Sequence, residues 1–436
     1  MEQAQGVNVG LLGLGTVGSG VIRIINNHQQ ELQHQTGCSI SVSKVLVKDK
    51  YKQRDLDTSQ MTLTEDAADV LNDEKTDVVI EVMGGITEAR DYILQALERK
   101  KHVVTANKDL MALHGKELLE QAEANGCCLF YEASVAGGIP VIRGITEGLA
   151  SDRITQIMGI VNGTTNYILT KMVQEERDYE EVLAEAQELG FAESDPTSDV
   201  EGLDAARKIA ILARLGFSMN VELDDVELKG ITNVTTDDMD YCSQLGYTLK
   251  LVGLAKRTEE RVELTVQPML LPNDHPLAAV QNEYNAVYVH GEAVGETMFY
   301  GPGAGSMPTA TSIVSDLVAT VKNIRLGTGS GSASKPLHTK AIQANEEVLS
   351  KYFLRLQVKD ETGTFDGLTS LFAKEDVGFD KLLQWPLEEE DPMSEVVIIT
   401  HMTNRAAYER IYQELENMDV VLEVKSSYRV EGGQVS

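Results

Sequence analysis

Strand and helix patterns alternate over the first 132 residues, and a glycine-rich turn follows the first strand, so the sequence predicts an α/β protein opening on a doubly wound parallel sheet. A β-rich stretch predicts a second, α+β domain with a mixed sheet over 133–305. A strand–helix–strand–strand–helix–strand pattern predicts a third over 350–436, after a linker at 327–349. At 436 residues the chain is long enough for two or three domains.

Composition narrows the setting. Acidic residues outnumber basic ones 68 to 38, a formal charge of −30. A surface that acidic repels phosphate backbones and anionic lipid, so no nucleic acid and no membrane is expected as partner. No apolar run is long enough to span a bilayer, and the start, MEQAQGVNVG, lacks the positive and apolar segments of a secretory signal. Cys38, Cys127, Cys128 and Cys242 show no CxxC spacing, and the eight histidines form no ligand pair. Both facts point away from a disulfide framework or a zinc site and towards a reducing cytoplasm.

Val7 to Leu12 reads as the first strand. GLGTVGSG follows at once, with Gly13, Gly15 and Gly18 in GxGxxG register around Thr16 and Val17. Such glycines allow a tight turn, close approach of backbone to a pyrophosphate, and close packing of helix on strand; the helix N-terminus adds N–H donors. The expected ligand is a dinucleotide. Further strands are expected at SVSKVLV (41–47), DVVIEVM (77–83), HVVTA (102–106) and CCLFYE (127–132), with helices at TEARDYILQALERK and LMALHGKELLEQAEANG. Asn107 and Lys108 sit just past a strand's C-terminal end, at the cofactor crevice, although a solvated lysine opening a helix would read the same. After the second strand, KDKYKQR sets Asp49 among Lys48, Lys50, Lys52 and Arg54. The basic side chains favour a 2′-phosphate and Asp49 a free ribose hydroxyl, so NADP(H) is preferred and NAD(H) remains possible.

In the middle stretch, EASVAGGIPVIRG places Gly137, Gly138 and Pro140 in a tight bend after Glu132. ITQIMGIVNGTTNYILTKM runs from a strand through Asn162-Gly163 into a helix capped by Thr164 or Thr165. ESDPTSDVEGLDAARK (193–208) begins as an acidic loop and opens a helix at Gly202 that stops at Gly216. Asp204 and Lys208, four apart, lie on one face of that helix. An ordinary helical ion pair, worth about 0.3–0.5 kcal/mol, would account for the spacing alone. Beyond Lys208, however, the helix is apolar on nearly every side, and a charge in such surroundings must be paired or used. LKLVGLAKR and ERVELTVQPML read as a hairpin around Thr258-Glu259-Glu260, and AVYVHGEAVGETMFYG as another. The glycine turn YGPGAG then leads into the helix TATSIVSDLVATVKNI.

Taken together, VVTANK, EASVAGGIP, GIVNGTTNYILTKM, GFAESDP and GLDAARK, in that order after GLGTVGSG, resemble homoserine dehydrogenase. The likeness runs from residue 7 to about residue 325. It implies an enzyme that interconverts L-aspartate 4-semialdehyde and L-homoserine with NAD(P)(H), in threonine and methionine biosynthesis, as a homodimer or homotetramer. No aspartate kinase region precedes the first strand, so the monofunctional form is expected. The resemblance makes Lys208 the proton donor to the carbonyl oxygen, sets Asp204 and Glu193 on the substrate's hydroxyl and amino end, and puts Lys108 between cofactor and substrate. It returns the turn around Gly303 to the cofactor and packs the helix at about 306–325 back on the first domain. It also implies a sodium site of Glu132 with the carbonyls of Val135, Gly137 and Ile139, and oxygen-only ligands suit a hard cation. The chemistry is coherent. Aldehyde reduction requires a hydride, a proton and stabilisation of the developing alkoxide. A lysine at its ordinary value of about 10.4 is a poor acid at neutral pH, and burial or a second ammonium lowers such a value.

GTGSGSAS (327–334) reads as a flexible linker. After it, strands at YFLRLQV, VGFDKLLQ, SEVVIIT and VVLEVKSSYRV, with helices at FDGLTSLFAKE and AAYERIYQELENM, give the βαββαβ, ferredoxin-like order. This resembles an ACT domain, the amino-acid-sensing module of biosynthetic enzymes, and implies feedback by L-threonine. ACT domains commonly carry Pro-Gly in the first turn where this chain has Thr362-Gly363, so a dimerisation module without ligand stays open. Two other functions share the glycine fingerprint. A phosphorylating semialdehyde dehydrogenase needs a thiolate nucleophile, and Cys242 stands without an activating neighbour in DDMDYCSQLG. A cofactor-binding amino-acid sensor without turnover has no need of a lysine buried beside an acid.

Overall fold

The computed structural model describes residues 6–328, 336–386 and 393–432. The Gly/Ser-rich stretch expected as a linker falls mostly on 329–335, outside the described residues. The chain forms two compact units, one of Met1–Ile157, Arg207–Asp224 and Asn285–Thr339, the other of Met158–Ala206, Asp225–Tyr284 and Lys340–Ser436.

The first unit is built on six parallel strands: β1 (Val7–Leu12), β2 (Ile40–Leu46), β3 (Thr62–Thr64), β4 (Val78–Glu81), β5 (His102–Thr105) and β6 (Leu129–Phe130). Their order is β3-β2-β1-β4-β5-β6, the Rossmann arrangement, which changes direction between β1 and β4 and opens a crevice there. The three residues of β3 are too few to show a period in the sequence. Val9, Leu11, Val45, Val78 and Ile80 of the sheet share a core with Val21 and Ile25 of the helix Thr16–Asn27 and with Ile313, Leu317 and Val321 of the helix Ser306–Leu326. Burying each such side chain is worth about 1.5–3 kcal/mol. The two helices meet at Gly20, where an added Cβ would lie 2.8 Å from the Ser306 carbonyl oxygen.

In the second unit, the strands Tyr247–Thr258 and Arg261–Pro272 form a long antiparallel hairpin, with Glu259 in the left-handed conformation (φ 55) at its turn. The outer edge of Arg261–Pro272 is covered by three separate pieces of chain. Val262 exchanges backbone hydrogen bonds with Ala341 and Gln343, both at 2.9 Å. Thr265 and Val266 pair in parallel with Glu227 and Leu228, and Met269 and Leu270 pair in parallel with Arg429 and Val430. The sheet is therefore mixed. Its last part has the βαββαβ order: strands Leu349–Lys359, Phe379–Pro386, Met393–Thr400 and Val421–Val430, with helices Thr364–Lys374 and Arg405–Glu416. In the sheet the fourth of these strands lies beside the first, then the third, then the second. Leu354, Leu356, Leu368, Phe372, Ile398, Ile411 and Leu415 fill its core.

Two local expectations are corrected. The helix carrying Asp204 and Lys208 spans Leu203–Phe217 and does not stop at Gly216. Gly216 serves packing instead: a Cβ there would lie 2.7 Å from Ile157 Cδ1, and Ser218 (φ 49) takes the left-handed exit. The helix Gly163–Glu175 is capped by Asn162, whose Oδ1 accepts from the Thr165 N–H at 2.9 Å, and by neither threonine.

Candidate active site

The three fingerprint glycines divide the work at the crevice. Gly13 has φ +107, open to glycine and strained for other residues. Gly18 lies so close to the turn that a Cβ would be 2.3 Å from the Gly13 carbonyl oxygen. Gly15 has nothing within 4 Å of its added Cβ, so the space over it is open. No side chain caps the helix Thr16–Asn27, which leaves Thr16 and Val17 at a helix N-terminus that favours an anion. These features fit a pyrophosphate. The Ser306 Oγ donates to the Thr16 carbonyl at 2.7 Å, which brings the start of the helix Ser306–Leu326, just after Gly303 and Gly305, to the same turn. Beyond β2, Lys48, Asp49 and Lys50 are exposed, while Arg54 donates back to the Asp49 and Lys52 carbonyls.

A buried network ends β4 and β5. Glu81 accepts from Thr105 Oγ1 at 2.6 Å and from the Met83 N–H at 2.9 Å, and burial pushes its carboxyl above the usual range. The Thr105 hydroxyl accepts from the Asn107 N–H, and Asn107 Nδ2 donates to the Gly85 carbonyl at 2.6 Å. Asn107 Oδ1 caps the helix Lys108–Ala124 through the Leu110 N–H. The backbone of Lys108, first residue of that helix, is thereby fixed beside the strand ends. Sequence reasoning marked Asn107 only as a neighbour and missed Glu81. An acid ending an otherwise apolar strand was the available signal.

In the second unit, Asp204 is 3% exposed and holds one of two carboxylates gathered by a single amide. Asn162 Nδ2 donates to Asp204 Oδ2 at 2.9 Å and to Asp199 Oδ1 at 2.7 Å. Lys208, 9% exposed, follows Asp204 by one turn of the same helix and itself belongs to the first unit. Glu193 lies exposed on the loop after the helix Tyr179–Glu188, where its main-chain carbonyl accepts from Gln187 Nε2. Asn162 and Asp199 were not singled out from sequence, because a pairing across 42 residues leaves no local mark.

The bend after Glu132 is also a built structure. Glu132, 2% exposed, accepts from the Ile142 and Arg143 N–H groups at 2.7 and 2.9 Å, and its own N–H donates to Asp316 Oδ2. Arg143 closes the cluster on Asp316 Oδ1 at 2.6 Å. Burial pushes the Glu132 carboxyl up to about 7 and that of Asp316 up to about 6. Ala136 and Gly137 turn through successive left-handed conformations (φ 55 and 52), and the Gly137 carbonyl accepts from Ser312 Oγ. A Cβ on Gly137 would meet the Gly303 carbonyl oxygen at 2.4 Å, so the bend and the glycine turn pack backbone on backbone. One buried carboxylate with carbonyls turned about a tight bend is an all-oxygen donor set, and it fits a hard cation. A cavity of about 470 Å³ at the N-terminal ends of β4 and β5, lined among others by Thr76, Lys101 and His102, contains none of these residues.

Residues 13–132 match the family model described as the homoserine dehydrogenase NAD binding domain, and residues 140–318 the model described as homoserine dehydrogenase. The homoserine dehydrogenase of Bacillus subtilis (strain 168) is 59% identical over 426 residues, 98% of either chain. This chain belongs to the homoserine dehydrogenase family. The crystal structure of a homoserine dehydrogenase from Thiobacillus denitrificans superimposes with a TM-score of 0.90 at 36% identity, over 98% of each chain. A hyperthermophilic archaeal homoserine dehydrogenase in complex with NADPH gives a TM-score of 0.61 at 25% identity, over 72% of this chain and 98% of its own. The chain is thus an NAD(P)-dependent oxidoreductase acting on a CH–OH group. Burial raises the Cys242 thiol well above its usual value, which suits a homoserine dehydrogenase and not an enzyme that needs a thiolate.

Proposed function

We propose that the chain reduces L-aspartate 4-semialdehyde to L-homoserine in threonine and methionine biosynthesis, with NADP(H) preferred. The observation that carries this reading is Lys208, an ammonium almost withdrawn from water one turn from the buried Asp204. When bound, the nicotinamide supplies a hydride to the aldehyde carbon. Lys208 delivers a proton to the carbonyl oxygen as negative charge develops there. Lys108, fixed at the crevice by the Asn107 cap, adds a second positive charge that stabilises the same oxygen. Asp204, oriented by Asn162, holds the substrate's polar end, and the exposed Glu193 carboxylate receives its ammonium. Gly13, Gly15, Thr16, Val17 and Gly18 cradle the pyrophosphate, Gly303 borders the cofactor, and Lys48 meets the 2′-phosphate. Glu132 with the carbonyls of Val135, Gly137 and Ile139 would hold sodium, whose charge offsets the buried Glu132 and Asp316 pair and fixes the bend.

The C-terminal βαββαβ part is read as an ACT domain responding to L-threonine, and the protein as a cytoplasmic homodimer or homotetramer. The decisive experiment is homoserine oxidation followed as NADPH and NADH absorbance, with Lys208→Ala in parallel. Turnover in the wild type and its loss in the variant are expected; wild-type turnover in the variant overturns the role of Lys208. Cofactor binding without any turnover would restore the sensor reading. Threonine at millimolar concentration should shift activity or melting temperature, and if it moves neither, the C-terminal part is a dimerisation module.

A further inference from the structure

Lys108 and Lys208 belong to different helices, and each has a neighbour that ties those helices together. Arg207, immediately before Lys208, forms an ion pair with Asp109, immediately after Lys108, at 2.9 Å from Nε to Oδ1. Two turns further along the helix Leu203–Phe217, Arg214 Nη1 donates to the Met111 carbonyl at 3.0 Å and Nη2 to the Ala112 carbonyl at 2.6 Å. Arg214 Nε donates to the Val221 carbonyl at 2.6 Å, so the guanidinium is itself held from behind. Gly115, on the next turn of the helix Lys108–Ala124, lies against the guanidinium: an added Cβ there would touch Arg214 Nη1 at an ordinary contact distance of 3.7 Å. Arg207 and Arg214 are seven apart and share one helix face. One contact would permit rotation about it. Two, set two turns apart on the helix Leu203–Phe217 and within one turn of the helix Lys108–Ala124, restrain rotation about either one.

The geometry points to Asp109, Arg207 and Arg214 as positioning residues that set the separation of Lys108 and Lys208 in the assembled site. The inference rests on the reading of those two lysines as site residues given above. The half-exposed Asp109–Arg207 pair, with side chains 38% and 22% accessible, is of the kind that adds little to stability. Its removal should therefore appear in turnover and not in melting. A displacement of about 1 Å at reacting groups costs on the order of a hundredfold in rate.

Four variants test this in homoserine oxidation: Asp109→Asn, Arg207→Gln, the exchange Asp109→Arg with Arg207→Asp, and Arg214→Lys. The single changes at 109 and 207 should lower kcat roughly ten- to a hundredfold, with the KM for NADP(H) and the melting temperature close to wild type. The exchange, which restores an ion pair of opposite sense, should recover much of kcat. Arg214→Lys keeps the charge but not the two-pronged grip, so it should lower kcat as well. Wild-type kcat in both single variants overturns the inference. So does a loss of kcat matched by a loss of melting temperature, or an exchange no better than its parts. Lys208→Ala, run alongside, separates the two levels: if it turns over like wild type the site assignment falls and this inference with it, whereas an inactive Lys208→Ala beside unaffected Asp109 and Arg207 variants overturns the positioning alone.

Discussion

Asn162 concentrates three tasks in one side chain. Its carbonyl oxygen caps a helix, and its amide nitrogen bridges Asp199 and Asp204. Serine is an equally good helix cap but cannot reach two carboxylates as a donor. Asn162→Ser should therefore keep the helix cap while kcat/KM for homoserine falls about tenfold or more, the cost of one charge-assisted hydrogen bond. An unchanged kcat/KM would remove Asn162 from the site. Lys250 is a different case: the residue is 3% exposed, and among the described residues its ammonium donates to two neutral partners, Asn166 Oδ1 at 3.0 Å and the Val280 carbonyl at 2.6 Å. Burial lowers its pKa from 10.5 to about 8. Between those values the unfolded chain holds the proton and the folded chain does not, so unfolding takes up a proton and stability rises with pH across that window. Urea midpoints measured at pH 8, 9 and 10 should climb in the wild type and climb less in Lys250→Met. Parallel slopes in the two proteins would show that Lys250 is not the source.

Among the elements, the glycine turn makes the sharpest prediction because two of its members differ only in what surrounds them. Gly15→Ala meets nothing within 4 Å, so the apo protein should melt as wild type and lose the stabilisation by NADPH expected of the wild type. Gly18→Ala drives a methyl to 2.3 Å from the Gly13 carbonyl and should lower the melting temperature of the apo protein itself. Differential scanning fluorimetry with and without NADPH separates the two, and a Gly15→Ala that still responds to NADPH would contradict the assignment. This turn was legible in the sequence because all its constraints lie within six residues. The parallel strands other than β3 were legible for the same reason, as apolar runs bounded by turns, although β6 shrank to two residues from the six expected. What escaped was set by distant partners. Gly216 is governed by Ile157 and not by the end of its helix, and Glu81 is explained by a hydroxyl 24 residues away. Of the candidate site, Lys208 and Asp204 could be proposed from their own helix, whereas Asn162, Asp199 and the arginine contacts are set by partners far apart in the chain.

At the scale of the molecule, the C-terminal βαββαβ part shares its buried charges with the rest of its unit. Arg355 donates to Asp237, Asp238 and Glu395 at 2.7, 3.1 and 2.8 Å, while Asp238 also accepts from Ser426 and Tyr428. Farther along, Arg429 pairs with the buried Glu263. Arg355→Leu strands Asp238 and Glu395 without their cation and should lower the unfolding free energy by about 3–5 kcal/mol, read as a fall in the urea midpoint. A loss below about 1 kcal/mol would mean that the cluster is solvated. The strand Arg261–Pro272 draws the wider consequence. Two of the three pieces covering its outer edge come from beyond residue 336, so a chain truncated before that residue would bare that edge and leave Glu263 without its arginine. Such a truncation should yield an insoluble protein, because an uncovered strand recruits strands from other molecules. Substitutions that probe this part of the chain must therefore be point changes, with the whole chain kept.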